Sequence, residues 1–215
     1  ADNNFTSLDV SNNPALVRLE CENNNLTYLN LKNGNNTNMS NGNFIATGNP
    51  SLTCIKVDDA TWSATNWTNI DNTASFSDTY CEYTSIPDAT FEAELEALGY
   101  DDISGDGQVP TKLIEVVTSL NLNDIGISDL TGIEDFTALV TLNARANNFT
   151  SLDVSNNILL ETLTVNTNNL TTIDVSKNVA LRILNLGTNL FTSVDVSKNV
   201  NLRDLFVQGN SGLTT

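Results

Sequence analysis

Hydrophobic residues recur along most of this chain in a repeated pattern of about 21 residues. The unit that begins at Phe149 is repeated from Leu170 and again from Phe191. Each unit contains two stretches in which alternating apolar residues precede an asparagine, such as Asn157 and Asn168 in the unit from Phe149. Alternation with a period of two predicts a short, half-buried strand, and the asparagine predicts a turn. The pattern therefore predicts a solenoid whose coils each have two strand-and-turn edges.

A single coil cannot bury its apolar stripe, so neighbouring coils are expected to stack and to form an asparagine ladder in the bend. The consensus L-x-x-L-x-L-x-x-N-x-L, found at residues 160–170, resembles the leucine-rich repeat family. The T-S-L-D-V-S-x-N-x-x-L units are similar to 21-residue repeats of secreted and surface proteins of Bacteroidetes, especially flavobacteria. The resemblance covers nearly the whole chain. It implies a repeat solenoid with short parallel strands, a mostly irregular convex side and one cap helix.

The pattern is interrupted once, which predicts two tandem arrays. Residues 1–83 are interpreted as the C-terminal part of a first array, and the chain is expected to begin inside a repeat of a longer protein. The repeat-free segment 60–83 contains Trp62 and Trp67. We interpret these aromatic residues as a cap over the last coil, with an aromatic sugar-binding platform as the alternative.

The second array is predicted to follow a short linker at residues 84–87 and to occupy residues 88–215. Its first element is a predicted amphipathic helix over residues 88–99, with Asp88 as the N-cap and Gly99 at the C-terminal end. A similar I-P-D-x-x-F-E stretch opens repeat arrays in the related proteins, so the resemblance implies an N-terminal cap.

Composition removes several classes of function. The 215 residues carry a net charge of −17, 34 asparagines and no histidine. The negative charge excludes nucleic-acid binding, and no apolar run is long enough for membrane insertion. Without histidine there is no Ser-His-Asp triad and no histidine zinc site. A carboxylate pair is the remaining route to catalysis, but no compact pair stands out, so we predict that the chain is not an enzyme.

The three cysteines are predicted to play different roles. Cys21 occupies a position that holds aliphatic residues in other units, so we interpret it as a small buried hydrophobe. Cys54 and Cys81 flank the repeat-free segment and are predicted to form a disulfide. A disulfide indicates an oxidising compartment, which predicts an extracellular or cell-surface location.

An acidic loop at residues 101–109 resembles the first two-thirds of an EF-hand calcium loop. Its candidate ligands are Asp102, Ser104, Asp106 and the backbone carbonyl of Gln108. The position of the usual bidentate glutamate is occupied by Leu113, so only weak calcium binding is predicted and no other cofactor is expected. The alternative is an acidic turn without an ion.

A row of aspartates occupies the same place in successive units: Asp9, Asp153, Asp174 and Asp195. Two interpretations are open. The row either binds cations or is a solvated row that is relieved by neighbouring lysines and by Asp–Ser turn hydrogen bonds.

The side chains that flank the buried leucines of the second array point to solvent and differ between units. From these we select a candidate binding set: Arg145, Thr164, Asn166, Asn185, Asp204, Phe206 and Gln208. The matching positions of the first array are Arg18, Glu20 and Glu22. We predict non-catalytic recognition or adhesion through this surface, with a protein or a polysaccharide as the ligand. The alternative is a structural spacer or stalk without a specific ligand.

Overall fold

The computed structural model describes residues 3–213 and contains two compact units, Ala1–Cys81 and Glu82–Thr215. Both are built from stacked coils with short parallel strands, which confirms the predicted repeat solenoid.

The described residues of the first unit contain six short strands: β1 (Ser7–Asp9), β2 (Leu19–Glu20), β3 (Tyr28–Asn30), β4 (Phe44–Ile45), β5 (Cys54–Lys56) and β6 (Ser75–Ser77). One parallel sheet has the order β1-β3-β5-β6, and β2 pairs in parallel with β4. Because β1 and β3 alternate along the chain with β2 and β4, each of the first two coils contributes one strand to each sheet. In this unit both edges of the first two coils therefore form strands, although β2 and β4 have only two residues each.

A helix that the sequence pattern did not predict, α1 (Ala60–Asn66), lies between β5 and β6. Asp59 caps it, because its carboxylate accepts a hydrogen bond of 2.8 Å from the backbone N–H of Trp62. Trp67 follows the helix and is only 1% exposed. Its indole N–H donates to the carbonyl of Met39, and its ring centroid lies 4.5 Å from that of Phe44. These aromatic residues therefore pack in the core, which favours the cap interpretation over a sugar platform.

Up to residue 213, the second unit contains seven strands and two α-helices: β7 (Tyr83–Ser85), α2 (Ala89–Ala97), β8 (Gln108–Pro110), α3 (Thr111–Ile114), β9 (Ser119–Asn121), β10 (Thr141–Asn143), β11 (Thr162–Thr164), β12 (Ile183–Asn185) and β13 (Asp204–Phe206). Strands β9 to β13 form one parallel sheet in chain order. The central leucines of adjacent strands are in register, and Leu142, Leu163 and Leu184 are fully buried. This sheet forms one edge of every coil.

The predicted helix is observed as α2, and Asp88 is its N-cap. The Asp88 carboxylate accepts four backbone hydrogen bonds, two from the first turn of α2 and two from the first coil: from Thr90, Phe91, Ser128 and Asp129. Burial raises the pKa of this carboxyl, but the four donors outweigh burial and lower the pKa overall. Asp88 thereby joins the cap helix to the repeats.

Residues 84–87 are not a linker, so that prediction is wrong. They overlap β7, which pairs antiparallel with β8, and Thr84 and Ile86 are buried. The Thr84 hydroxyl lies 2.6 Å from a carboxylate oxygen of Asp135 in the first coil. The pairing partner is distant in sequence, so the local pattern did not reveal the strand.

The predicted asparagine ladder is confirmed. On the edge that carries the sheet, the second unit has four buried members: Asn147, Asn168, Asn189 and Asn210. Each amide N–H2 group donates to at least one carbonyl of its own coil and to one of the preceding coil. Asn168, for example, donates to Val165 and Ala144 at 3.0 Å each. The ladder thus satisfies carbonyl groups that the bend would otherwise leave unpaired.

The residue that precedes each of these asparagines has a left-handed backbone. In the second unit these residues are Ala146, Thr167, Thr188 and Gly209, with φ between 53° and 77°. A side chain makes this conformation unfavourable by about 1–2 kcal/mol. Three of the four positions therefore carry local strain that the stacked coils must offset.

Candidate functional site

The most regular surface of the second unit is the strand face, the outward side of β9 to β13. The strand register sets its first row: Ser119, Thr141, Thr162, Ile183 and Asp204. The second row is Asn121, Asn143, Thr164, Asn185 and Phe206. A third row follows the strands: Asn123, Arg145, Asn166, Gly187 and Gln208. Because side chains alternate along a strand, the buried leucines lie beneath these rows.

Many polar groups of the strand face are not used within the protein. Among the described residues, the side chains of Thr141, Asn143, Thr162 and Thr164 have no hydrogen-bond partner, although each is half-exposed. Asn185 uses only its carbonyl oxygen, which accepts from the backbone N–H of Gly187 at 3.1 Å. The centre of the face therefore presents amide and hydroxyl groups that are available to a ligand.

The apolar part of the strand face is small. Phe206 is 42% exposed, and Ile183 is half-buried on the neighbouring strand. The register pairs Phe206 with Asn185 and places Ile183 on the diagonal from it. Gly187 leaves room for the amide of Gln208, because a Cβ at Gly187 would lie 2.9 Å from the Gln208 nitrogen.

All seven residues of the candidate binding set lie on the strand face: Arg145, Thr164, Asn166, Asn185, Asp204, Phe206 and Gln208. Their role in binding stays a prediction. Ser119 and Asn121 of β9 were not predicted as part of this surface, and they extend its first two rows. The alternation of Leu120 and Leu122 beside them was the signal that would have identified this strand.

The matching positions of the first unit differ. Arg18 and Glu20 form an ion pair beside the two-residue strand β2, and Glu22 follows it. The longer sheet of this unit is on the other edge of the coil, so the residues of the first unit do not continue a strand face of the same kind.

The aspartate row consists of turn-forming residues. Asp9, Asp153, Asp174 and Asp195 each accept a hydrogen bond of 2.8 Å from the backbone N–H of the serine two positions later. Hydrogen bonds from that serine are the main cause that lowers the pKa of each aspartate. This geometry favours the Asp–Ser turn interpretation over a cation ladder.

A groove of about 540 Å³ lies on the same edge and is lined by four carboxylates: those of Asp129, Glu134, Asp153 and Asp174. The lowered pKa values of Asp153 and Asp174 keep both groups ionised. A glycosidase general acid requires the opposite, a raised pKa. These two groups therefore do not form an acid–base pair.

The acidic loop uses its candidate calcium ligands in internal contacts. Asp102 accepts from the hydroxyl of Tyr83, Ser104 donates to Glu96, and Asp106 accepts from the backbone N–H of Gln108. Within residues 3–213, no group of three or more acidic or cysteine side chains is placed to hold a metal ion. Weak calcium binding stays a prediction.

The cysteine pairing is confirmed, because Cys54 and Cys81 form a disulfide. Cys21 is a free, buried thiol, and burial raises its pKa to about 11. The thiolate is therefore scarce at neutral pH, which agrees with a structural role.

Among residues 3–213, no helix has the length and apolar character needed to cross a membrane. No family model and no curated protein matches the chain. Two solved structures from Listeria monocytogenes are similar. One, the functional domain of InlJ, which includes a cysteine ladder, has 32% identity and a TM-score of 0.52 over 64% of this chain. The other, an internalin named InlF, has 27% identity and a TM-score of 0.55 over 60% of this chain.

The chain spans only 33% and 39% of the lengths of these two proteins. The likeness to these two proteins and the parallel-strand topology show that the chain has a leucine-rich repeat fold. The InlJ domain includes a cysteine ladder, whereas in this chain the position stacked beside Cys21 is occupied by Ala46.

Proposed function

We propose that this chain is a non-catalytic recognition or adhesion segment of a secreted or cell-surface bacterial protein. The strand face of the second unit binds a protein or a polysaccharide. One observation carries the proposal: the polar groups of this face differ between coils and are free of internal hydrogen bonds at its centre. Stacked repeats create extended binding surfaces of this kind.

The proposed location and origin have separate support. The Cys54–Cys81 disulfide requires an oxidising compartment to persist. The T-S-L-D-V-S repeats resemble those of secreted and surface proteins of Bacteroidetes, and the solved neighbours are bacterial. The charge of −17 opposes nucleic acid and anionic lipid as partners.

The proposal is tested by screening the chain against arrays of glycans and bacterial or host surface proteins. A face variant combines Arg145→Ala, Asn166→Ala and Phe206→Ala. A matched control combines Thr172→Ala and Lys177→Ala, which are exposed outside the strand face. We expect each ligand of the parent to be retained by the control and lost by the face variant. Binding that survives in the face variant contradicts this choice of surface, and the absence of any ligand favours the structural spacer.

A further inference from the structure

The strand face carries almost no net charge on a strongly acidic chain. Of its fifteen positions, only Arg145 and Asp204 are charged, and their charges cancel. The whole chain, by contrast, has a charge of −17. Because the strand face is nearly neutral and carries many hydroxyl and amide side chains, we infer that its ligand is an uncharged polysaccharide. The inference rests on the proposed function and specifies its ligand.

Charge separates the classes of polysaccharide. An anionic polymer is repelled by the acidic chain at a distance and meets only one cation, Arg145, on the face. A cationic polymer is attracted to carboxylates elsewhere on the chain and meets only Asp204 on the face. A neutral polymer is neither repelled by the acidic chain nor attracted to carboxylates outside the strand face.

The polar side chains of the face match a polyhydroxyl ligand. Ten of the fifteen positions hold serine, threonine, asparagine or glutamine. Amides and hydroxyls both donate and accept hydrogen bonds, as sugar hydroxyls do. Asn143 lies between Asn121 and Thr164 in the second row, with strands spaced about 4.8 Å apart. A chain that crosses the strands therefore meets hydrogen-bonding groups at regular intervals.

The apolar content favours a glycan over a protein. Protein interfaces concentrate their binding energy in tryptophan, tyrosine and arginine, and the strand face supplies only Arg145 from that group. Phe206 instead offers one exposed ring beside the polar side chain of Asn185. The C–H face of a sugar ring packs against such a ring while its hydroxyls reach Asn185 beside it.

The test uses the full chain and named polysaccharides. The neutral probes are dextran, cellohexaose and laminarin, and the charged probes are polygalacturonate, dextran sulfate and chitosan. Binding is measured by affinity electrophoresis and then by calorimetry at about 50 mM and about 500 mM NaCl. We expect at least one neutral probe to bind, with an affinity that changes less than about twofold between the two salt concentrations. We expect no binding of polygalacturonate or dextran sulfate.

Two variants assign the binding to the strand face. Phe206→Ala is expected to weaken binding by about tenfold, which corresponds to about 1.4 kcal/mol. Thr164→Glu places a charge at the centre of the second row and is expected to abolish it. Thr171→Glu adds the same charge at an exposed position outside the face and is expected to bind like the parent. Circular dichroism confirms that each variant is folded.

The outcomes distinguish the inference from the proposed function. If no neutral probe binds but a protein ligand binds and is lost in Thr164→Glu, the inference is wrong and the proposed function stands. If a charged probe binds in a salt-sensitive way and Thr164→Glu abolishes that binding, the inference is again wrong and the proposed function again stands. A neutral probe that binds Thr164→Glu as it binds the parent overturns both, because the ligand then occupies another surface.

Discussion

The asparagine ladder makes a strong prediction about stability, and Asn189 is the best position to test it. This side chain is 4% exposed. Its amide N–H2 group donates to the carbonyls of Val165, Leu186 and Gly187 at 3.0, 3.1 and 3.3 Å. Its carbonyl oxygen accepts from the backbone N–H of Leu170 at 3.0 Å. The change Asn189→Ala removes all four bonds.

The expected loss in the free energy of unfolding depends on which backbone groups keep a hydrogen-bond partner in Asn189→Ala. The Val165 carbonyl keeps a bond from Asn168, and the Leu186 carbonyl keeps one from Asn210. The Leu170 N–H loses its side-chain acceptor, and a buried unpaired donor costs about 1–3 kcal/mol. The two shorter amide bonds add about 1 kcal/mol each, and the Gly187 carbonyl keeps a bond from the backbone N–H of Thr167. We therefore expect Asn189→Ala to lower the free energy of unfolding by about 3–5 kcal/mol.

The assay is denaturant unfolding, monitored by tryptophan fluorescence and by far-ultraviolet circular dichroism. Both tryptophans, Trp62 and Trp67, belong to the first unit, so tryptophan fluorescence reports that unit, whereas far-ultraviolet circular dichroism reports both. The matched control is Asn169→Ala, whose exposed side chain makes one bond of 3.4 Å to Asn148. It is expected to cost less than about 1 kcal/mol. If Asn189→Ala costs no more than this control, the ladder does not stabilise the coils as argued.

Three further predictions address other parts of the second unit. Ala146→Gly relieves the strain of a left-handed backbone and should stabilise the second unit by about 1 kcal/mol in denaturant unfolding. The control Ala180→Gly, at a residue with negative φ, should destabilise the unit. Equal effects of the two changes contradict the strain argument. Asp88→Asn should lower the thermal midpoint more than Asp59→Asn, which loses only one helix-cap contact. Because the folded pKa of Asp88 is lowered, its contribution is present above the unfolded value of about 3.9 and is lost as the pH falls through the folded pKa, so Asp88→Asn should flatten this acid limb. Finally, about 10 mM calcium should stabilise the parent by no more than about 1.4 kcal/mol and should not stabilise Asp106→Ala; an unchanged midpoint in the parent refutes the calcium site.

Features that depend on local repetition were predictable from the sequence. The periodic leucines located the stacked coils, and the asparagines located the ladder, because each position recurs in the same environment. Asp88 was identifiable as an N-cap because a capping side chain acts on the residues directly after it. The same repetition predicts that the candidate binding residues lie on one face, because equivalent positions of stacked coils lie side by side.

Features that depend on distant partners were not predictable in this way. The strand β7 forms only because β8 returns to pair with it, and its own residues contain no strong strand pattern. Helix α1 lacks a clear apolar period and is fixed by the Asp59 cap and by the packing of Trp67. The left-handed backbone at Thr167 and Thr188 is also hidden, because β-branched residues rarely adopt it without support from neighbouring coils.

The two edges of a coil in the second unit divide structural and exposed roles between them. On the aspartate edge, the repeated Asp153 and Asp174 use one carboxylate oxygen to close their own turns. On the strand edge, buried asparagines hold the coils together, and the residues above the leucines make few internal bonds. Selection for folding alone constrains the turn-closing aspartates and the buried asparagines, and it leaves the residues above the leucines free to vary. A ligand-binding role for the strand face therefore requires no change to the residues that build the solenoid, so we expect single substitutions such as Thr164→Glu to separate recognition from stability.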